Sequence, residues 1–261
     1  MAFDELKPSL IVNRVFINVK DLDYKELCQK LVKCELTFDK SIVAINSNFG
    51  HSSLEGQEGQ ITKPKIKKGG RKIIGDGSTF NSSIEFKVFD EDLMIRLLRY
   101  YPRSGQIQII GCEYSQTLVD KLIDFLCNSE IEEFSFIKFE SGPDTILRNY
   151  KFTLGLREKK YINIENLAYK LQNDENIRNN TPFPIKYIKC CPSDIHSKIA
   201  IAFEGKRVHI WKNSGKVNIL GSKSELGASL IYDFLQEIFT IYAKDLICDM
   251  PTIDEILDKI I

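Results

Sequence analysis

Tyr101-Pro-Arg-Ser-Gly-Gln-Ile-Gln-Ile-Ile-Gly111 recurs 110 residues later as Trp211-Lys-Asn-Ser-Gly-Lys-Val-Asn-Ile-Leu-Gly221. In both copies an aromatic residue stands four positions before the Gly of a Ser-Gly turn. The turn leads into alternating polar and apolar residues, and a second Gly closes the run. Each copy is followed by a Ser and a helix-period stretch, Ser115 to Cys127 and Ser224 to about Ile241. A strand–turn–strand–helix unit used twice predicts an internally duplicated fold.

Upstream of the first copy, residues 9–20 (SLIVNRVFINVK) are rich in β-branched residues and predict a strand. Asp21 to Lys33 places Tyr24, Leu27, Cys28 and Leu31 on one helical face, and Asp23 with Glu26 forms a capping-box pattern. A short strand follows near Leu36 to Ile45. Residues 46–79 carry seven Gly, and Lys63 to Lys72 holds six Lys or Arg and no acid. With neither helical nor strand period, this stretch predicts a long inserted loop. Asn81 to Phe89, an acidic turn at Asp90-Glu91-Asp92, Leu93 to Tyr101 and Gln106 to Ile110 predict an antiparallel meander.

Downstream the order repeats. Phe134 to Phe139 predicts a bridging strand, Ser-Gly-Pro-Asp (141–144) a turn, Thr145 to Leu156 a strand and Ile164 to Leu171 a helix. Lys198 to Phe203, Lys206 to Lys212 and Lys216 to Leu220 predict the second meander, and a long helix covers about 225–243. The expected class is α+β. The expected organisation is one repeat over 1–132 with its insertion at 46–79, a second over 133–245, and a tail over 246–261. In each repeat the helices' apolar stripes cover one sheet face. The other face is left to solvent or to a ligand.

Composition narrows the function. Lys plus Arg and Asp plus Glu both number 36, so formal net charge is zero and no global field draws the chain to nucleic acid. Zero net charge is compatible with a local basic face, because charge can be segregated. Seven Cys without a C-x-x-C pair, and only three His, argue against a zinc site and for a reducing compartment. The N-terminus has no apolar signal region, and no run of about 18 apolar residues exists, so a soluble intracellular protein is expected. No catalytic constellation and no cofactor motif stands out; Gly75-Asp-Gly77 lacks the Gly-Lys-Ser/Thr of a P-loop.

The duplicated order, with Ile11-Val12-Asn13 and Ile146-Leu147-Arg148-Asn149 on the first strands and the two Ser-Gly hairpins on the last, resembles the TATA-box-binding protein core. Asn48-Phe-Gly-His51, the basic loop, and Gly75-Asp-Gly-x-x-Phe-Asn-Ser82 are similar to segments of the TATA-box-binding-protein-like factors of large cytoplasmic DNA viruses. The resemblance covers about residues 9–245. It implies a saddle-shaped fold of two tandem repeats, whose curved antiparallel sheet lies on the DNA minor groove and bends the duplex. The minor groove offers mainly adenine and thymine acceptors, which short amides and small apolar groups can read.

By resemblance, Asn13 and Asn149 are the paired central asparagines, with Val15 and Lys151 beside them on the DNA side. Tyr101 and Trp211 correspond to kinking aromatics, Phe80 to the other kinking Phe of the first repeat, and Phe183 to its partner in the second. Gln108, Ile110, Asn218 and Leu220 are the alternating residues that face DNA. Lys63, Lys65, Lys67, Lys68, Arg71 and Lys72 of the inserted loop would clamp phosphates. The pattern departs from the family where Ile110 and Leu220 replace Thr, where Lys151 replaces a small apolar residue, and where Tyr and Trp replace two Phe. Promoter DNA and a TFIIB-like factor or RNA polymerase subunits are the implied partners. The implied location is the host cytoplasm for a viral protein and the nucleus otherwise.

Each assignment has a plainer reading beside it. Tyr101 and Trp211 could be half-buried sheet aromatics, Asn13 and Asn149 strand-end turn residues, and the basic run a solvated loop. A saddle used as a protein-interaction scaffold that does not bend DNA is the alternative function.

Overall fold

The computed structural model describes residues 2–36, 41–54, 56–60, 65–66, 72–73, 82–191 and 197–250. The chain forms two compact units. The first is Ile11–Ile146, and the second is Met1–Leu10 together with Leu147–Ile261. Both are α+β, an antiparallel sheet with helices packed on one face, as the sequence predicts.

The first unit runs β1 (Lys7–Ile17), α1 (Tyr24–Leu31), β2 (Ile42–Ser47), β3 (Gly50–Ser53), β4 (Gly56–Gln60), a short pair β5 (Lys65–Ile66) and β6 (Lys72–Ile73), β7 (Ile84–Phe89), β8 (Ile95–Tyr101), β9 (Gln106–Ile110) and α2 (Gln116–Cys127). Its main sheet has the order β1-β9-β8-β7-β2-β3-β4. Period-2 alternation sends Ile17, Phe86, Leu98, Tyr100, Ile107 and Ile109 into the core. There they meet Leu27 and Leu31 of α1 and Leu118, Leu122 and Phe125 of α2. Both helices start on side-chain caps. Asp23 accepts from the Glu26 N–H at 2.8 Å, and Ser115 accepts from the Leu118 N–H at 3.3 Å.

The second unit takes β10 (Phe139–Thr153) from Leu147 onward and then runs β11 (Lys160–Ile162), α3 (Ile164–Asn173), α4 (Glu175–Asn179), β12 (Ile185–Cys191), β13 (Lys198–Phe203), β14 (Lys206–Trp211), β15 (Lys216–Ser222), α5 (Glu225–Ile241), α6 (Ala243–Leu246) and β16 (Ile247–Asp249). The sheet order is β10-β15-β14-β13-β12, and β11 pairs separately with β16. Tyr150, Phe152, Ile199, Ile201, Val208 and Ile210 face Leu167 and Leu171 of α3 and Ile231, Leu235 and Ile238 of α5. The N-terminal segment also belongs here. The Asp4 N–H donates to Thr153 O at 3.0 Å, the Tyr232 hydroxyl donates to Asp4 O at 2.9 Å, and Phe3 and Leu6 pack on the second core.

Three local expectations change. The stretch from Phe134 to Phe139 is not a strand until its last residue, where β10 begins: Glu132–Phe134 is a 3₁₀ turn, and Phe134 is fully buried against Tyr100, with ring centroids 5.9 Å apart. The expected turn at 141–144 is instead continuous β10, so Ser-Gly-Pro-Asp is extended. The expected loop from residue 46 opens with a β-hairpin, where Asn46 pairs with His51 and Ser47 with Gly50. Its turn is built from Asn48-Phe-Gly. The Asn48 N–H donates to the Tyr24 hydroxyl at 3.2 Å and the Phe49 N–H to Ser47 Oγ at 3.2 Å. Phe49 packs edge-on against Tyr24 at 5.6 Å. A Cβ at Gly50 would lie 2.8 Å from Val32, so only glycine fits where the hairpin crosses α1's end.

Candidate nucleic-acid interface

The repeated motif forms the same hairpin in each unit. Gly105 N–H donates to Tyr101 O at 3.0 Å, and Gly215 N–H donates to Trp211 O at 3.1 Å. Both glycines are left-handed, at φ +66° and +63°. Their carbonyls then accept from the first strand of the unit, Ile17 N–H at 2.8 Å and Leu154 N–H at 2.9 Å. The turn is therefore tied to the sheet on both sides, which fixes the strand phase and decides which side chains leave the core.

In the first unit the side chains opposite the helices include Arg14 and Phe16 of β1, Gln106, Gln108 and Ile110 of β9, and Leu97, Arg99 and Tyr101 of β8. The register sets them side by side: Arg14 opposite Gln108, Gln108 opposite Arg99, and Tyr101 opposite Gln106. The Tyr101 hydroxyl donates to Gln108 Oε1 at 3.2 Å. The charges on this face are largely paired. Arg14 meets Asp144 at 2.9 Å, and Arg99 meets Glu85 at 2.8 Å.

In the second unit the uncovered face carries Lys151 of β10, Lys216, Asn218 and Leu220 of β15, Arg207, His209 and Trp211 of β14, Lys198 of β13, and Tyr187 and Lys189 of β12. Lys151 lies opposite Asn218, Asn218 opposite His209, His209 opposite Ala200, and Ala200 opposite Lys189. His209 and Trp211 meet edge to face at 5.9 Å. Lys198 lies 5.5 Å from the Trp211 ring, and Arg207 lies 5.9 Å from the Tyr187 ring. Burial, with help from Lys198 and Arg207, pushes the His209 pKa below the ordinary histidine value, so the ring is neutral at pH 7.

The structure thus brings Tyr101, Gln108 and Ile110 onto one uncovered face, and Lys151, Trp211, Asn218 and Leu220 onto the other. Asn13 and Val15 point the opposite way. Val15 is 1% exposed and belongs to the core. Asn13 is 2% exposed; its Nδ2 donates to Cys112 O at 3.1 Å, and its Oδ1 accepts from Thr145 Oγ1 at 2.7 Å. The phase of β1 places Arg14 and Phe16, not Asn13 and Val15, on the uncovered side.

Asn149 sits at a break in the β10–β15 ladder, where Arg148 pairs with Ser222 but Tyr150 with Ile219. Its Oδ1 accepts from the Gly221 N–H at 2.9 Å, and Gly221 is left-handed at φ +79°. It satisfies the extra residue of a β-bulge. Phe183 packs against the second core, with Lys206 Nζ 3.8 Å from its ring centroid, and is not on the sheet face. Phe80, Lys63, Lys67, Lys68 and Arg71 lie outside the described residues, as do the side chains of Lys65 and Lys72.

Tyr187, Lys189, Lys198, Arg207 and His209 were not anticipated. For Tyr187 and Lys189 the signal is the alternation in 185–191, readable only once that stretch is recognised as a strand; Lys198, Arg207 and His209 stand on strands the sequence predicts, and the same alternation places them on the uncovered face. Among the described residues, no group of three His, Cys, Asp or Glu is placed to hold a metal ion, and no helix is long and apolar enough to cross a membrane.

No protein-family model matches the chain. The chain is 32% identical over 234 residues to the protein named "Putative TATA-binding protein pB263R" of African swine fever virus (strain Badajoz 1971 Vero-adapted), and the match covers 84% of each. The protein of the same name from the isolate Tick/Malawi/Lil 20-1/1983 is 32% identical over 240 residues, covering 86% of each. Among solved structures, Methanococcus jannaschii TBP is similar at 14% sequence identity and a TM-score of 0.45, over 89% of this chain and 99% of that one.

Proposed function

Because the chain belongs to the family of these African swine fever virus TATA-binding-protein-like proteins, we propose that it binds double-stranded promoter DNA through the minor groove and bends it. In this reading residues 1–132 and 133–245 are two copies of one unit, and each lays its uncovered sheet face on the groove. The observation that carries the reading is the matched pair of hairpins, which put Tyr101 and Trp211 at the same place relative to a left-handed glycine. Aromatic side chains leaving a sheet at a hairpin end can enter a base step and unstack it. Gln108 and Asn218 supply amides for base-edge acceptors, while Ile110 and Leu220 supply apolar contact.

The reading assigns no catalytic step. It places the protein inside the infected cell, where bent DNA recruits a TFIIB-like factor or polymerase subunits. The helices offer a surface for that contact: Leu226 and Leu230 of α5 are 71% and 42% exposed.

The buried Asn13 favours a narrower second reading. Its amide is spent inside the protein, so the scaffold function, without DNA deformation, needs no change in this residue. Replacing the A·T pairs of an AT-rich duplex by inosine·cytosine separates the possibilities. That swap keeps the minor-groove acceptors and rewrites the major groove. Unchanged affinity supports minor-groove binding. Loss of affinity overturns it, and absence of binding to either duplex leaves the scaffold.

A further inference from the structure

The two uncovered faces differ in charge, and the difference is not visible in a net charge of zero. On the first unit's face two of the three arginine and lysine side chains are neutralised in place, Arg14 by Asp144 and Arg99 by Glu85. The second of these pairs is nearly closed to water, at 14% and 3% side-chain exposure. Only Lys87, opposite Leu97 on β7, is left without an ion pair among the described residues. On the second unit's face stand Lys151, Lys189, Lys198, Arg207 and Lys216. The strand positions of that face hold no carboxylate, and none of the five cations forms an ion pair among the described residues.

Five like charges on one sheet repel each other, and two of them, Lys198 and Arg207, add to the burial that lowers the pKa of His209 in their midst. A folded surface keeps such an arrangement at a cost that an anionic ligand removes. The rings beneath the cations, Trp211 and Tyr187, hold Lys198 and Arg207 near the sheet and leave less side-chain freedom to lose on binding.

We infer that the two faces divide the work: the second unit's uncovered face, through Lys151, Lys189, Lys198, Arg207 and Lys216, grips the phosphates of the nucleic acid, and the first unit's face contributes shape and base contact without net charge. The ligand chemistry is a polyanionic phosphodiester backbone. The inference rests on the proposed DNA-binding function for the identity of the ligand, and on the ion-pair pattern alone for which face binds it.

Full-length wild type, the double variant Lys151→Gln/Lys189→Gln and the control Lys87→Gln are compared for binding to a 20-base-pair AT-rich duplex over a series of salt concentrations. Dextran sulfate serves as a second, sequence-free polyanion. Lys151 and Lys189 are exposed and break no ion pair when neutralised, and thermal unfolding checks that each variant is folded. Each lost phosphate contact removes about 0.9 from the slope of log K against log salt. The double variant is therefore expected to lose about 2 from that slope, with weaker binding at low salt, while Lys87→Gln keeps the wild-type slope. Equal loss in the control, or no loss in the double variant, overturns the inference. If wild type binds dextran sulfate but not the duplex, and only the double variant weakens that binding, the assignment of the face stands and the DNA reading falls. If wild type binds neither, both fall.

Discussion

The hydroxyl of Tyr101 donates to the side-chain carbonyl of Gln108 at 3.2 Å, across the hairpin that joins β8 to β9. An aromatic proposed as a wedge is thus steered by an amide proposed as a base reader, and the two should act together. Tyr101→Phe keeps the ring and removes one half-exposed hydrogen bond. Tyr101→Ala removes the ring from a site outside the core. We expect Tyr101→Phe to keep most of the DNA bend and Tyr101→Ala to lose it, with unfolding free energies within about 1 kcal/mol of wild type in both. Denaturant unfolding beside fluorescence energy transfer across a labelled duplex checks this. A bend that survives Tyr101→Ala refutes the wedge role.

Left-handed glycines differ in how closely their surroundings approach them. A Cβ at Gly105 would stand 2.3 Å from Ile17 O, whereas one at Gly205 meets nothing within 4 Å although φ is +73°. Gly205→Ala should cost about 1 kcal/mol, the left-handed penalty alone. Gly105→Ala must also displace β1's end from the turn and should cost about 3 kcal/mol or more. Urea midpoints of the two variants decide the matter; equal midpoints would show that the approach of the Ile17 carbonyl to Gly105 is not a constraint.

Asn13 separates a structural from a recognition role. Asn13→Ala leaves Cys112 O and Thr145 Oγ1 without their partner in a nearly closed site, which costs about 2 kcal/mol. The expected result is lowered stability with unchanged affinity per folded molecule. A loss of affinity at full folding would mean that Asn13 turns outward on binding.

His209 gives a pH signature with two opposite signs. Its folded pKa lies below the unfolded value because of burial and the nearby Lys198 and Arg207. Its contribution to stability is therefore complete above the unfolded value, about 6.5, and is lost as pH falls through the folded value. A phosphate beside the ring reverses the local field and raises that pKa, so binding takes up a proton. Affinity for duplex DNA should rise from pH 7.5 to pH 5.5 while stability of the free protein falls. His209→Gln should flatten this part of both trends, and a pH-independent wild-type affinity would contradict the placement of phosphate at this face.

Much of the architecture was legible because local signals agreed. The Ser-Gly hairpins, the caps Asp23, Ser115 and Ser224, and the apolar stripes of α2 and α5 each state their own structure within a few residues. What was missed depends on partners far away in sequence. The phase of β1 is set by its register with β9, so Asn13 and Val15 fell on the wrong side of a strand whose every residue from Ile11 to Ile17 is apolar or ambivalent except Asn13 and Arg14. Phe134 is a core anchor only because Tyr100 waits for it. Ser141 to Asp144 carries turn residues but is extended within β10, where Asp144 meets Arg14 from 130 positions upstream. The charged face of the second unit is hidden in the sequence because its five cations come one from each of five strands and never form a run.

The most direct test of the account is the end-to-end energy transfer of a doubly labelled AT-rich duplex titrated with the full-length protein at low and moderate salt. The account predicts saturable binding that weakens with salt and a rise in transfer efficiency as the bound duplex bends, with the rise abolished in Tyr101→Ala/Trp211→Ala. Binding with no change in transfer, or a rise that the double variant retains, would contradict it.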